Sequence, residues 1–161
     1  MGNRTALIVD DEESIIDILS KVAGKLDLNA IGASNGEAAM QIAEERTPDL
    51  IITDISMPKM DGIKLLTELR ERNYIRPVIL VTGYPDLDMS VRALRMGAFD
   101  LLTKPFKLDL VLSTVRAALE YVWQQDAAME QLQSKGLLDR APPEVRKHLV
   151  QLMANRRKKP A

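Results

Sequence analysis

The sequence contains no cysteine. That absence removes disulfides, thiolate metal sites and cysteine nucleophiles together, and it suits a reducing compartment. Histidine is nearly absent too. The single copy, His148, sits on an amphipathic C-terminal segment and reads as a surface residue, not as a phosphohistidine relay. No apolar run approaches the roughly 18 to 20 residues that span a bilayer, so no membrane association is expected. No apolar signal core or small-residue cleavage site precedes the first strand-like run, which makes the cytoplasm the expected location. Internal repeats and low-complexity tracts are also missing. The chemistry must rest on oxygen and nitrogen.

What is present describes a globular chain of 161 residues, 46% hydrophobic and 28% charged. That length allows one full core plus an appendage, and is short for two ordinary domains. The net charge of −1 hides an asymmetry. Residues 134–161 carry eight Lys/Arg against two Asp/Glu, a balance of +6, which leaves −7 on residues 1–133. An acidic body carries a basic tail.

Apolar runs of strand length alternate with amphipathic segments of helix length. This rhythm argues for a parallel sheet covered on both faces. Five strand-like runs fall near 5–10, 28–32, 49–54, 77–82 and 98–102. Between them Ile15, Ile16, Leu19 and Val22, then Ala38, Met40, Ile42 and Ala43, then Ile63, Leu65, Leu66 and Leu69, then Val91, Leu94 and Met96 carry helical spacing. Ser34 and Glu37 form a capping-box pattern for the second helix, and Gly97 ends the fourth. Right-handed crossovers favour a doubly wound sheet.

The last helix of the body starts near Lys107. Its stripe of Val111, Val115, Ala118, Val122, Gln125, Met129 and Leu132 continues past the length that one domain needs. Beyond Tyr121 the stripe is expected to find no sheet to cover, leaving either a short coiled coil with another chain, with Trp123 nearby, or a frayed helix end. Gly136 breaks the helix, and Ala141-Pro142-Pro143-Glu144 opens a final one, which ends in Arg156-Arg157-Lys158-Lys159.

Parallel strands bring their carboxyl ends to one side. Asp10 and Asp11, Asp54, Thr82 and Lys104 close the first, third, fourth and fifth runs, so all five should meet at one rim. Each alone has a bland reading, because a lone aspartate at a strand end is usually a turn former or a cap. Their conjunction is what points to a site. Three carboxylates crowd negative charge that a hard cation relieves, and all-oxygen ligands select Mg²⁺, with Mn²⁺ as a substitute. Asp54 could then attack phosphorus while Lys104 and Thr82 meet the charge on the transferring oxygens. Pro105 constrains Lys104, with a cis Lys104-Pro105 bond as one option. Gly62 allows close backbone approach in the turn after Asp54, and the Ser56 carbonyl is free to be a metal ligand.

These residues resemble the receiver domain of bacterial two-component response regulators. The resemblance rests on Asp10-Asp11, on Ile52-Thr53-Asp54-Ile55-Ser56-Met57-Pro58-Lys59-Met60-Asp61-Gly62, on Val81-Thr82-Gly83, and on Gly97 through Phe106 with Lys104-Pro105. It covers residues 4–125, leaving 126–161 as a helical extension with a basic tail and no separate output domain. The resemblance implies a flavodoxin-like five-stranded sheet of order 2-1-3-4-5 and phosphotransfer from a sensor histidine kinase or phosphotransfer protein to Asp54. It also implies Mg²⁺ dependence, autophosphorylation and slow self-catalysed dephosphorylation in a protein that is not otherwise an enzyme. A shift of the face made by the fourth helix, fifth strand and fifth helix is implied as well.

One departure stands out. The family usually carries Tyr or Phe three residues before the lysine, and this chain has Leu101. The expectation is that Thr82 still moves and that the Gly83-Tyr84-Pro85 loop and the fourth helix carry the signal. Ser56 and Tyr84, two residues after Asp54 and Thr82, stand where the resemblance places the path of attacking water, so both are candidates for tuning the lifetime of the acyl phosphate, with a surface-packed Tyr84 as the equal alternative. Output is expected through a downstream protein target, with a homodimer through the extended fifth helix as an option. DNA contact by the basic run is disfavoured, since it would rest on charge alone. The competing reading, a metal-dependent phosphohydrolase with Asp54 as nucleophile, wants an acid two residues further on, where Ser56 stands.

Overall fold

In the computed structural model, which describes residues 4–157, strands and helices alternate from one end of the body to the other. The side chains of His148, Gln151, Leu152 and 154–157 are not described either. The expectations for His148 and for the basic run at 156–159 therefore lie outside the described residues. The strands are β1 (Arg4–Val9), β2 (Leu28–Ala33), β3 (Leu50–Asp54), β4 (Val78–Thr82) and β5 (Asp100–Thr103). They form one parallel sheet in the order β2-β1-β3-β4-β5, the doubly wound arrangement expected. Every residue of β3 and β4 is buried, because helices cover both faces, and the continuous apolar runs follow from that.

The helices are α1 (Glu13–Gly24), α2 (Gly36–Arg46), α3 (Gly62–Glu71), α4 (Leu87–Arg95), α5 (Leu108–Ser134), α6 (Leu137–Arg140) and α7 (Pro143–Arg157). One core joins α2, α3 and α4 to one sheet face around Leu7, Ile51, Leu65, Leu66 and Leu80. The other joins α1 and α5 to the opposite face around Ile8, Leu19, Ile52, Ile79 and Val115. Among the described residues no helix is long and apolar enough to cross a membrane.

Three local expectations are corrected. The cap of α2 is Asn35, whose side chain accepts from the Ala38 amide, so the Ser34–Glu37 capping box does not form. Asn35 has the extended backbone that a capping residue needs, and it stands directly before the first helical residue. The fifth strand begins at Asp100, not Ala98. Gly97, at φ +94°, closes α4 by a Schellman turn in which the Ala98 amide reaches the Ala93 carbonyl at 3.1 Å and the Gly97 amide reaches that of Leu94 at 3.0 Å.

The third correction concerns α5. Its stripe does not run out of partners at Tyr121. Val122 is fully buried and Asp126 nearly so, while Gln125 donates to the Ile75 carbonyl at 3.3 Å. The helix lies against the amino-terminal rim of the sheet, where polar loop ends take over from strand faces as its partner. The inner stripe is therefore occupied by its own chain as far as Asp126 and does not offer a free seam there. Gly136, at φ +64°, ends the run as expected, and Pro143 opens α7.

Candidate functional site

Strand register sets the site. Val9 lies opposite Thr53, so Asp10 and Asp54 leave their strands at the same level. Asp54 lies opposite Val81, and Thr82 opposite Thr103, so Thr82 follows one step beyond and Lys104 two. All four come from the carboxyl ends of neighbouring strands.

Lys104 is the hub. Its Nζ lies 2.8 Å from Asp10 Oδ2 and 3.3 Å from Asp54 Oδ1. Asp10 Oδ1 accepts from the Glu12 amide at 2.9 Å, so both oxygens of this buried carboxylate have partners. The Thr82 carbonyl accepts from the Lys104 amide at 2.7 Å, and its hydroxyl oxygen accepts from the Tyr84 amide at 3.1 Å. That leaves the hydroxyl proton of Thr82 available to another acceptor. The Lys104-Pro105 bond is cis.

Gly62 sits in the turn that follows Asp54. A Cβ there would lie 2.2 Å from the Asp54 carbonyl oxygen, and the Gly62 amide donates to the Ile55 carbonyl at 2.9 Å. Asp61 caps α3 by accepting from the Lys64 amide, holding the turn against the end of β3. Ser56 is exposed in that turn. Tyr84 is 83% exposed, so its side chain is not packed over the site, and the residue's hydrogen bond to Thr82 comes from its backbone amide. Leu101 is half-buried against the core beside α4.

The electrostatics are unbalanced. Burial, and then the neighbouring Asp10 charge, push the Asp54 carboxyl above its ordinary value despite the pull of Lys104. For Lys104 burial works in the lowering direction, yet hydrogen bonds and charge from Asp10 and Asp54 outweigh it and hold the ammonium above its ordinary value. One cation cannot neutralise two carboxylates. Asp11 and Glu12 add to the excess: carboxylate oxygens of Asp10, Asp11 and Glu12 all lie within 4.8 Å of one another, Asp11 and Glu12 being exposed. Glu12 carries no telling signal in the sequence, because an acidic residue just before a helix is favoured by the helix dipole alone. A donor set made only of oxygen, with negative charge in surplus, fits a hard divalent cation such as Mg²⁺.

Residues 6–116 match the family described as response regulator receiver domain. The chain belongs to that family. The receiver is 36% identical over 118 residues to the DNA-binding transcriptional regulator NtrC of Escherichia coli K12, covering 73% of this chain and 25% of NtrC. It is 34% identical over 143 residues to the response regulator protein PilR of Pseudomonas aeruginosa, covering 89% of this chain and 32% of PilR. Among solved structures, the receiver domain of NtrX from Brucella abortus superposes with a TM-score of 0.67 at 31% identity, over 71% of this chain and 98% of that one. The chain thus spans a quarter to a third of the length of these two curated relatives. As a receiver it belongs to two-component phosphorelay signalling.

Proposed function

We propose that Asp54 is the phosphoacceptor and that a phosphohistidine, on a sensor kinase or phosphotransfer protein, is the donor. The single observation that carries this is the Lys104 ammonium bridging Asp10 and Asp54 at the rim of the sheet. An oxygen of Asp54 forms the new bond to phosphorus, the bond from phosphorus to the imidazole nitrogen breaks, and the electron pair leaves with the imidazole, which takes up a proton. Asp54 must be ionised to do this, and Lys104 favours that form. Lys104 then has a second task. Its ammonium faces the developing charge on the phosphoryl oxygens, while the Thr82 hydroxyl proton reaches another of them.

Asp10, Asp11, Asp54 and the Ser56 carbonyl are the groups we assign to holding Mg²⁺, with Mn²⁺ as a substitute and the Glu12 carboxylate beside Asp10 and Asp11. Bound there, the metal supplies positive charge against the phosphoryl oxygens and relieves the surplus of the acids. Gly62 keeps the turn close behind Asp54, so that the carboxylate is held by backbone packing as well as by charge. Ser56, exposed two residues after the nucleophile, is the side chain we assign to tuning water access and hence the lifetime of the acyl phosphate. Slow self-dephosphorylation and autophosphorylation from small donors belong to the same proposal. So does output through a protein target.

The hydrolase reading is not favoured, because Ser56 offers no proton of suitable acidity to a leaving group. Incubation with acetyl phosphate and Mg²⁺, followed by intact mass, tests the proposal. One phosphoryl group per chain is expected, none in Asp54→Ala, with no sustained turnover of small phosphate esters. Catalytic turnover of such esters, or unchanged labelling of Asp54→Ala, would overturn it.

A further inference from the structure

The rim opposite the site holds a second charged assembly. Arg4 Nη1 lies 3.1 Å from Asp49 Oδ1, and Arg4 Nη2 lies 3.0 Å from Asp126 Oδ2. Arg76 Nη2 lies 2.7 Å from Asp126 Oδ1, while Arg76 Nη1 donates to Gln125 Oε1 at 3.1 Å. Asp49 Oδ2 also accepts from the Thr5 amide at 2.8 Å, so Asp49 both orients Arg4 and ties the loop before β3 to β1. Arg4 begins β1, Asp49 precedes β3 and Arg76 precedes β4. The same three strands carry Asp10, Asp54 and Thr82 at their other ends.

Asp49 and Asp126 are buried carboxylates, each paired with a guanidinium. Buried ion pairs add little to stability compared with apolar side chains of similar volume, so stability alone gives a weak reason for this set. Geometry gives a stronger one. Apolar contacts let a helix slide or roll. A carboxylate that takes one arginine on each oxygen fixes both the rotation and the height of the helix that bears it. Past Asp126, α5 continues for eight residues, about 12 Å, none of them buried.

We propose that Arg4, Arg76 and Asp126 form an ionic clasp that fixes the direction in which α5 leaves the receiver, making the extension a rigid continuation of the body and not a tether. The structural unit then ends at the clasp, one residue beyond the boundary expected from the sequence. Any segment that follows α5 takes its orientation from these residues. A second copy could use the stripe at Val122 to Asp126 only after the clasp opens.

The lack of cysteine makes the test clean. Nitroxide labels on Glu71→Cys, at the exposed end of α3, and Gln133→Cys, near the end of α5, report the distance between body and extension by pulsed electron resonance. The clasp predicts one narrow distribution in the parent and a broadening of about twofold or more in Asp126→Ala. Arg76→Gln, which removes one of the two arginines and leaves Asp126 in place, is expected to broaden it in the same direction and serves if Asp126→Ala does not fold. Folding of each variant is judged by circular dichroism, which does not depend on phosphoryl transfer. A distribution as narrow in the folded variants as in the parent, or one already broad in the parent, would overturn the proposal.

Discussion

Lys104 stands between two carboxylates and cannot satisfy both, and the chemistry of the site follows from that imbalance. Asp54 is held above its ordinary value, so ionising it costs the folded chain free energy at neutral pH in the absence of metal. Asp54→Asn removes that cost together with a weaker attraction to Lys104. Its melting temperature without metal should exceed the parent's by about 2–4 °C at pH 7. The gain should vanish as the pH falls below the ordinary carboxyl value of 3.8, where the parent is protonated in both states. Lys104 has the opposite sign. Its raised value means that its stabilisation is complete at neutral pH and is lost only as the pH climbs above 10.5 through that raised value. Lys104→Met should destabilise the metal-free protein by about 1–3 kcal/mol in denaturant titrations at pH 7, because the buried Asp10 loses a charged partner. It should also slow labelling by acetyl phosphate by about a hundredfold or more.

Turns, not strands, make the site exact at the scale of elements. The Asp54–Gly62 loop returns so tightly that a methyl group at Gly62 would overlap backbone, whereas one at Gly83 meets nothing within 4 Å. Gly62→Ala should therefore cost about 1–3 kcal/mol and impair labelling of Asp54, while Gly83→Ala should change stability by less than about 0.5 kcal/mol. Chemical denaturation of the two variants side by side checks this. Helix α4 depends on a different device. Arg70 donates to the Tyr74 carbonyl, to the Arg76 carbonyl at 3.1 Å and to the Gly97 carbonyl at 2.8 Å, pinning the carboxyl end of α4 to α3. Along the rest of α4 only Ala93 is buried, while Leu87 and Leu94 are largely exposed. Arg70→Met should speed amide exchange at Gly97 to Phe99 by about tenfold, with the strands unaffected. The strands were legible because residues buried on both faces must be apolar throughout. The cap of α2 was not, since Ser34 and Asn35 are both good capping residues and only the backbone angles decide between them.

Across the whole molecule the sheet has two charged rims with different purposes, and the sequence revealed only one. The site rim was readable because its residues close apolar runs, so that parallel topology alone brings them together. The clasp was not readable. Arg4 and Asp126 are 122 positions apart, neither ends a run in a telling way, and the stripe on α5 looks the same whether it faces the body or a partner. The difference shows in Val122, which is buried by its own chain. Binding of a divalent ion should act on the whole fold, because the acids converge only in the native state. Saturating Mg²⁺ at about a hundredfold over its dissociation constant should stabilise the protein by about 2.7 kcal/mol. Thermal denaturation should show this shift, its reversal by EDTA and its reduction in Asp54→Ala.

The most direct test of the account is to locate the phosphoryl group. Borohydride reduces an aspartyl phosphate to homoserine, so treating the phosphorylated protein and sequencing its peptides by mass spectrometry marks the acceptor. Homoserine at position 54 alone is the predicted result. Conversion at Asp10 or Asp11, or phosphate retained on another residue with Asp54 unchanged, would contradict it.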